Sequence, residues 1–197
     1  MTGRHSATGR ILFRPLVLFL LCLLTGCRLF KASSNTMFLG DSLTEGWSYP
    51  QANLGIFGNT TARMAARFPG QIAGHRYQWV VILGGTNDVL LGIDPAVTIQ
   101  NLEKIGNYAI EAGAQPVICE IPPIFHNYNL ADKTDYSTRV HVLNDKIAQL
   151  SAQHRWGLVD YYHPLLGHPT YSSDGVHLNR RGYAVMEWTF LRKAPSP

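Results

Sequence analysis

Residues 79–120 read WVVILGGTNDVLLGIDPAVTIQNLEKIGNYAIEAGAQPVICE. Two apolar runs of strand length, Trp79–Leu83 and Gln115–Glu120, flank a segment of helix length that begins at Pro95 and stops before Gly113. Proline is favoured at the first position of a helix, and glycine just past its end. The stretch therefore predicts a strand, a helix and a second strand parallel to the first.

The same alternation continues on both sides of this unit. Further strands are predicted at 36–39, 52–56 and 157–159, and helices at 60–68, 95–112, 136–154 (ended by Gly157) and 180–191. Repeated strand and helix units with apolar strands predict an α/β fold, a three-layer α/β/α arrangement around a parallel sheet of about five strands. Ligands of such sheets bind outside the carboxyl ends of the strands.

The N-terminal part has a different pattern. Three arginines precede the apolar run 16–24, an order typical of an export signal, and the run is too short to span a membrane as a mature helix. The following Leu-Thr-Gly-Cys27 resembles the bacterial lipobox; the alternative is a simple secretory signal with an incidental cysteine. We predict a signal peptide at 1–26, a lipidated Cys27 with a tether at 27–35, and one domain at 36–197.

Lipid on Cys27 would anchor the chain in a bacterial cell envelope, on the periplasmic side of a membrane. Arg28 after that cysteine, rather than Asp, resembles the pattern of outer-membrane lipoproteins of Gram-negative bacteria, which implies outer-membrane sorting if the source is such an organism. Three of the 17 Lys and Arg residues lie in 1–26, which leaves 14 basic against 13 acidic residues and no charge to attract nucleic acid. Only Cys119 then remains beside Cys27, so we expect no disulfide framework and a buried Cys119.

Four polar or glycine-rich motifs carry the candidate chemistry. Three of them follow predicted strands, at 40–47 (GDSLTEGW), 53–60 (NLGIFGNT) and 84–88 (GGTND), and the fourth is Asp174-Gly175-Val176-His177. A serine hydroxyl is a poor nucleophile until a base takes its proton, and a carboxylate three residues before a histidine can orient that base. Taken singly, each motif also fits a structural role in a turn or beside a helix.

Together, these four segments resemble the blocks of the SGNH hydrolase family, also called GDSL esterases and lipases, over residues 36–190. The resemblance implies a flavodoxin-like fold with Ser42 as nucleophile, His177 as base and Asp174 as its orienting acid. It also implies an oxyanion hole of Ser42, Gly58 and Asn87. Gly55 is an alternative for the second donor, and Asp41 and Asp88, which could compete with Asp174, are interpreted as supports of their loops.

The resemblance implies a serine ester hydrolase that works through an acyl-enzyme and needs no cofactor. Envelope anchoring and the lack of an obvious lid favour short acyl esters of small molecules or glycans, O-acetylated carbohydrate among them. The alternatives are a lysophospholipase or thioesterase for longer acyl chains, and a non-catalytic envelope lipoprotein that binds glycan or protein. The oligomeric state stays open.

Two further expectations concern the remaining side chains. The other histidines lack the spacing of a metal site, so we expect no metal; they are His75, His126, His141, His154, His163 and His168. A set of aromatic and apolar residues in or beside loops is expected near the cleft, about half of them at its rim and the others in the core. These residues are Trp47, Tyr49, Ile124, Phe125, His126, Tyr128 and Tyr162. The longest predicted loop, 121–135, is a candidate substrate-binding segment.

Overall fold

The structure is a computed structural model that describes residues 35–125 and 135–193. The predicted signal peptide, Cys27 and most of the tether lie outside the described residues, so the predictions on them stay predictions. Within the described ranges, no helix combines the length and apolar character needed to cross a membrane.

A five-stranded parallel sheet forms the centre of the fold and confirms the predicted architecture. Its strands lie in the order β2-β1-β3-β4-β5. Their bounds are β1 Thr36–Gly40, β2 Ala52–Gly55, β3 Trp79–Leu83, β4 Gln115–Glu120 and β5 Gly157–Asp160. The first described strand, β1, thus lies inside the sheet, with β2 added on one side of it and β3 on the other, which makes the carboxyl end of β1 a switch point for ligands.

Seven α-helices occur in the described ranges, and the four long ones match the predictions. The bounds are α1 Ser42–Glu45, α2 Thr61–Ile72, α3 Thr86–Leu90, α4 Pro95–Glu111, α5 Ser137–His154, α6 Tyr162–Leu165 and α7 Arg180–Lys193, with a short 3₁₀ turn at Pro169–Tyr171. The helices α1, α3 and α6 were not predicted, because four or five residues are too few to show a helical period.

Two helix ends differ from the sequence-based expectation. Helix α2 runs past Phe68 through Pro69 to Ile72, since a proline in the final turn forfeits a single hydrogen bond and its own carbonyl still accepts from the N–H of Ala73. Helix α5 ends at His154 and is capped by Arg155 in the left-handed conformation with φ 56°, and Gly157 begins β5 instead of ending the helix.

Helices cover both faces of the sheet. Helix α4 contacts α2 and α5, and all three pack near β1, β3 or β4, whereas α7 contacts β5 and places Phe190 against Phe38 of β1. Every residue of β1 is buried, and Cys119 in β4 is a buried free thiol as predicted. Burial on both faces is why these strands are continuously apolar, and it holds their carboxyl ends rigidly in place.

Candidate active site

Three of the predicted site residues follow three adjacent strands. Ser42 comes two residues after β1, Gly58 three residues after β2, and Asn87 four residues after β3. Because β1 lies between β2 and β3, Ser42 has one predicted donor segment on each side. The topology alone therefore brings together motifs that are far apart in sequence.

Ser42 is the first residue of α1 and is 9% exposed at the carboxyl end of β1. The side chain of Asp41 caps the helix, because its Oδ1 accepts from the N–H of Leu43 at 2.9 Å. Gly40 makes the tight approach possible: a Cβ there would lie 2.7 Å from the carbonyl oxygen of Leu83 and would also clash with Thr44. Glycine and a short cap thus fix the direction of the Ser42 side chain.

His177 lies between Ser42 and Asp174. Its Nε2 is 3.0 Å from Ser42 Oγ, and its Nδ1 is 2.6 Å from Asp174 Oδ2. The other oxygen, Oδ1 of Asp174, accepts from the backbone N–H groups of Val176 and His177 at 2.9 and 2.7 Å. A carboxylate facing Nδ1 favours the proton on that nitrogen, which leaves the lone pair of Nε2 directed at the serine hydroxyl.

The charge state of Asp174 suits this role. Partial burial raises the pKa of its carboxyl group, but the hydrogen bonds from the ring and backbone of His177 outweigh that effect and hold the pKa below its ordinary value. Asp174 is therefore ionised at neutral pH. It can stabilise an imidazolium at His177 in the course of a reaction.

Gly58 and Asn87, the two predicted oxyanion donors beside Ser42, have distinct local surroundings. Gly58 has φ +68°, the left-handed region in which a side chain is unfavourable, and open space surrounds the position of a Cβ. Asn87 donates one of its two side-chain N–H bonds to the carbonyl oxygen of Asn59 at 2.9 Å, which orients the amide and leaves its second N–H available. Among the described residues, the N–H groups of Ser42 and Gly58 have no protein acceptor.

The competing residues from the sequence have other positions. Gly55 lies inside β2, packed against the backbone of Glu45, where a Cβ would clash. Asp88 accepts from the N–H and hydroxyl of Thr61 and from the hydroxyl of Thr98, and so ties α3 to α2 and α4. These contacts agree with a supporting role for Asp88.

Asp41 is fully buried, and its Oδ2 has no hydrogen-bond partner. Burial raises the pKa of its carboxyl group to about 7, and the nearby charge of Asp88 adds to the effect. No hydrogen bond joins Asp41 to the imidazole of His177 in the described structure. Asp174, not Asp41, is thus the carboxylate that faces the imidazole of His177.

The sequence analysis missed Arg67, which ties the site loops together from α2. Its guanidinium donates to the carbonyl oxygens of Gly40 and Leu54, both at 2.8 Å, and to Asn59 Oδ1 at 2.9 Å. A fourth bond reaches Gln71 Oε1 at 2.6 Å. No sequence motif includes Arg67. The signal that could have identified it is its spacing from Gly58-Asn59-Thr60, the segment after which α2 begins.

The aromatic residues beside the site also differ from those predicted. Trp47, Ile124 and Tyr162 are buried, and Tyr49 stacks on Trp47 with ring centroids 5.4 Å apart, so these four serve mainly as packing residues. Phe125 is partly exposed, while His126, Tyr128 and most of the loop 121–135 lie outside the described residues. The exposed aromatic beside the site is Phe57, which the sequence analysis did not single out.

One cluster combines groups that bind metals. Potential ligand atoms of Glu120, Asp160 and His163 lie within 4.8 Å of one another at the carboxyl ends of β4 and β5. Asp160 already accepts from the backbone and faces the ring of His163. Burial, followed by the neighbouring Asp160, raises the pKa of Glu120 to about 7, so a proton held between the two carboxyl groups satisfies them near neutral pH.

A mainly apolar pocket of about 440 Å³ opens between α3, α4 and α5. Its lining includes Val89, Ile93, Thr98, Val142 and Leu143, and no residue of the Ser42, His177 and Asp174 set. Val89 is two residues past Asn87 on the same helix. The pocket therefore borders the helix that carries Asn87, and Ser42 is not part of its lining.

A serine, an imidazole and a carboxylate in one hydrogen-bonded series, above a parallel sheet and beside free N–H donors, define a serine hydrolase arrangement. The chain belongs to the GDSL-like lipase/acylhydrolase family, whose profile matches residues 38–185. It is therefore a carboxylic ester hydrolase.

Individual relatives agree with this assignment. An arylesterase of Vibrio mimicus is 28% identical over 163 residues, which cover 68% of this chain and 82% of the relative. A thioesterase 1/protease 1/lysophospholipase L1 of Escherichia coli K12 is 30% identical over 108 residues, 46% of this chain, and the match spans about half of that enzyme (52%). A GDSL-like lipase from Bacteroides thetaiotaomicron shares the fold, with a TM-score of 0.74 at 23% identity, covering 92% of this chain and 98% of that one.

Proposed function

We propose that this esterase cleaves short acyl esters by a two-step transfer through Ser42, with O-acetylated carbohydrate as one substrate class. The observation that carries the proposal is the hydrogen-bonded series from Ser42 Oγ through His177 to Asp174. This series couples a hydroxyl to a base whose orientation is fixed by an ionised carboxylate, which is the requirement for activating a serine.

In the first step, Ser42 Oγ attacks the ester carbonyl carbon while its proton moves to Nε2 of His177. The carbonyl oxygen becomes an oxyanion, which the N–H groups of Ser42 and Gly58 and the free N–H of Asn87 stabilise. When the tetrahedral intermediate collapses, the bond to the alcohol oxygen breaks and that oxygen takes the proton from His177. The acyl group stays on Ser42.

In the second step, water attacks the acyl-enzyme and gives a proton to His177. The same three donors stabilise the second tetrahedral intermediate. The bond to Ser42 Oγ then breaks, the proton returns from His177 to that oxygen, and the carboxylic acid leaves. Every proton has a donor and an acceptor within the site, so this sequence needs only the ester and water.

The size of the acyl group is the finer part of the proposal. The apolar pocket of about 440 Å³ does not include the triad in its lining, which supports a short acyl group close to Ser42. Because the pocket borders α3, the helix that carries Asn87, a second candidate is a hydrolase for longer acyl chains whose tails would reach Val89 and Ile93. The E. coli relative is itself a thioesterase and lysophospholipase.

The test uses the full chain, purified in mild detergent, with acetyl, butyryl and dodecanoyl esters of p-nitrophenol. We expect kcat/KM to fall with chain length, and Ser42→Ala to lose at least about 10³-fold in kcat on every ester. Release of acetate from acetylated xylan, measured in parallel, tests the carbohydrate class. Turnover that survives in Ser42→Ala contradicts the mechanism.

Chain-length preference separates the two candidates. If the dodecanoyl ester is the best substrate and Val89→Trp lowers its kcat/KM while leaving the acetyl ester unchanged, the pocket holds the acyl chain and the long-chain candidate is correct. If Val89→Trp has equal effects on both esters, the pocket has no part in acyl selection. The variant alters the pocket lining and none of the groups that act on the ester bond.

We also propose that the enzyme is anchored through lipid on Cys27, in the envelope and on the outer membrane of a Gram-negative source. The support is the order of charged, apolar and small residues before Cys27. Cells that express the chain and are fed a labelled fatty acid should yield a labelled protein in the membrane fraction. Cys27→Ala should carry no label, and a labelled Cys27→Ala protein would contradict the assignment.

A further inference from the structure

Phe57 occupies an unusual position beside the base. Its ring stacks on the imidazole of His177, with centroids 5.7 Å apart and planes at 14°, yet the residue is 69% exposed. Single exposed apolar residues are common on protein surfaces and need no explanation. Phe57 differs from them because one face of its ring lies against a group that handles the transferred proton, while much of the side chain contacts only solvent.

A tight turn holds Phe57 in this place. The N–H of Asn59 donates to the carbonyl oxygen of Ile56 at 3.2 Å, and Gly58 takes φ +68° as the third residue of the turn. A positive φ at that position is the mark of a type II turn, in which the second residue, here Phe57, projects outward. The same turn therefore positions the oxyanion donor Gly58 and presents Phe57 at the cleft.

The chemistry of the reaction tells which part of the ester meets this ring. The alcohol oxygen must come within hydrogen-bond reach of Nε2 of His177 to receive its proton, and the acyl group extends from the other side of the carbonyl carbon. A ring stacked on the imidazole extends the wall of the site next to that oxygen. The first atoms of the leaving alcohol therefore lie nearest to Phe57.

We propose that Phe57, with the half-exposed Ile56 beside it, forms a subsite for the leaving alcohol that favours a ring with a flat apolar face. The C–H face of a sugar ring and the face of an aryl group share this chemistry, and both gain from contact with an aromatic side chain. This inference rests on the proposed Ser42 mechanism. It goes further, since it names the alcohol side as a source of specificity.

The experiment keeps the acetyl group constant and varies the alcohol. The substrates are methyl acetate, p-nitrophenyl acetate and a mono-O-acetylated methyl xyloside, followed by acetate release. The parameter kcat/KM includes attack on the intact ester and so reports contact with the alcohol, whereas hydrolysis of the common acetyl-enzyme does not. The variants are Phe57→Ala and Phe57→Tyr, with Ile110→Ala as the matched control. Ile110 is also exposed but lies at the C-terminal end of α4, just before the amino end of β4, whereas Phe57 follows the carboxyl end of β2.

We expect Phe57→Ala to lower kcat/KM about tenfold for the ring alcohols and less than twofold for methyl acetate, with Phe57→Tyr restoring most of the loss. An effect on the sugar ester alone, or on the aryl ester alone, identifies the source of the ring. Equal losses on all three esters, or a shifted pH profile of kcat/KM, mean that Phe57 supports His177 and overturn the subsite. Activity that persists in Ser42→Ala would instead refute the underlying mechanism, so the two failures are distinguishable.

Discussion

Replacing Arg67 by alanine should separate positioning of the site from its chemistry. Arg67 touches no substrate atom in the proposed mechanism, but it binds the carbonyl oxygen of Gly40, two residues before Ser42, and the side chain of Asn59, whose own carbonyl orients Asn87. Its removal takes one donor from each of three acceptors near the site. The loops that carry the proposed nucleophile and two proposed oxyanion donors then lose a common anchor.

The size of the effect follows from these bonds. A buried hydrogen bond to a charged donor contributes about 1.5–3 kcal/mol to the free energy of unfolding, and the contribution is smaller for a half-exposed group such as Arg67. The bonds of Arg67 to Gly40, Leu54 and Asn59 together are worth about 2–4 kcal/mol. Loss of an oxyanion donor costs about 10²–10³ in rate. A misplaced donor is a partial loss, so we expect kcat to fall about 10–100-fold.

The assay is hydrolysis of p-nitrophenyl acetate. It is run at a temperature at which separate urea-unfolding experiments show that each variant is folded. Arg67→Ala should lower kcat with KM nearly unchanged, and Arg67→Lys should fall between, because one ammonium group cannot reproduce the planar fork. The control is Arg63→Ala, on the exposed face of the same helix one turn earlier. A folded Arg67→Ala protein with kcat within twofold of the parent would refute the positioning role.

Three further predictions concern single groups of the site. Gly58→Ala and Gly113→Ala both place a side chain at positive φ with free space around it, so each should lose about 1–2 kcal/mol in urea unfolding, but only Gly58→Ala should also lose kcat. Asn87→Ala should lower kcat about 10²–10³-fold while Tm changes little, and an unchanged kcat would remove Asn87 from the oxyanion hole. The pKa of Asp41 is about 7 in the folded chain and near 4 in the unfolded chain, so the unfolded chain releases this proton first as pH rises. The free energy of unfolding should therefore fall by up to about 4 kcal/mol between pH 4 and 7. Urea titrations at several pH values measure this fall, and Asp41→Asn should flatten it.

Local signals were enough for most of the architecture. The apolar runs of β1, β3 and β4 mark buried parallel strands, and Pro95 and Gly113 mark both ends of α4. Gly113 has φ +83°, the left-handed conformation in which helices commonly end and which glycine adopts most easily. Signals of this kind act over a few residues and are readable without the fold. The short helices and the left-handed Arg155 were not predicted, because packing rather than local preference determines them.

The residues of the candidate site also differ in whether local sequence patterns identify them. Ser42, Gly58, Asn87, Asp174 and His177 stand out in the sequence because each lies in a short motif with a chemical purpose. Asp174 and His177 are also neighbours in the chain, so their pairing at 2.6 Å is a local property of one turn. Motif and spacing suffice for such groups.

No sequence motif identifies Arg67 or Phe57. The acceptors of Arg67 are up to 27 residues away, and Phe57 lies 120 residues before the imidazole that it faces. The approach of His177 Nε2 to Ser42 Oγ at 3.0 Å likewise spans 135 residues. The sequence by itself determined the kinds of groups and the order of strands and helices, since periodicity and chemistry are written in local patterns. Only the tertiary structure decided which groups meet and which rings stay exposed, because those contacts depend on the packing of the whole sheet and its helices.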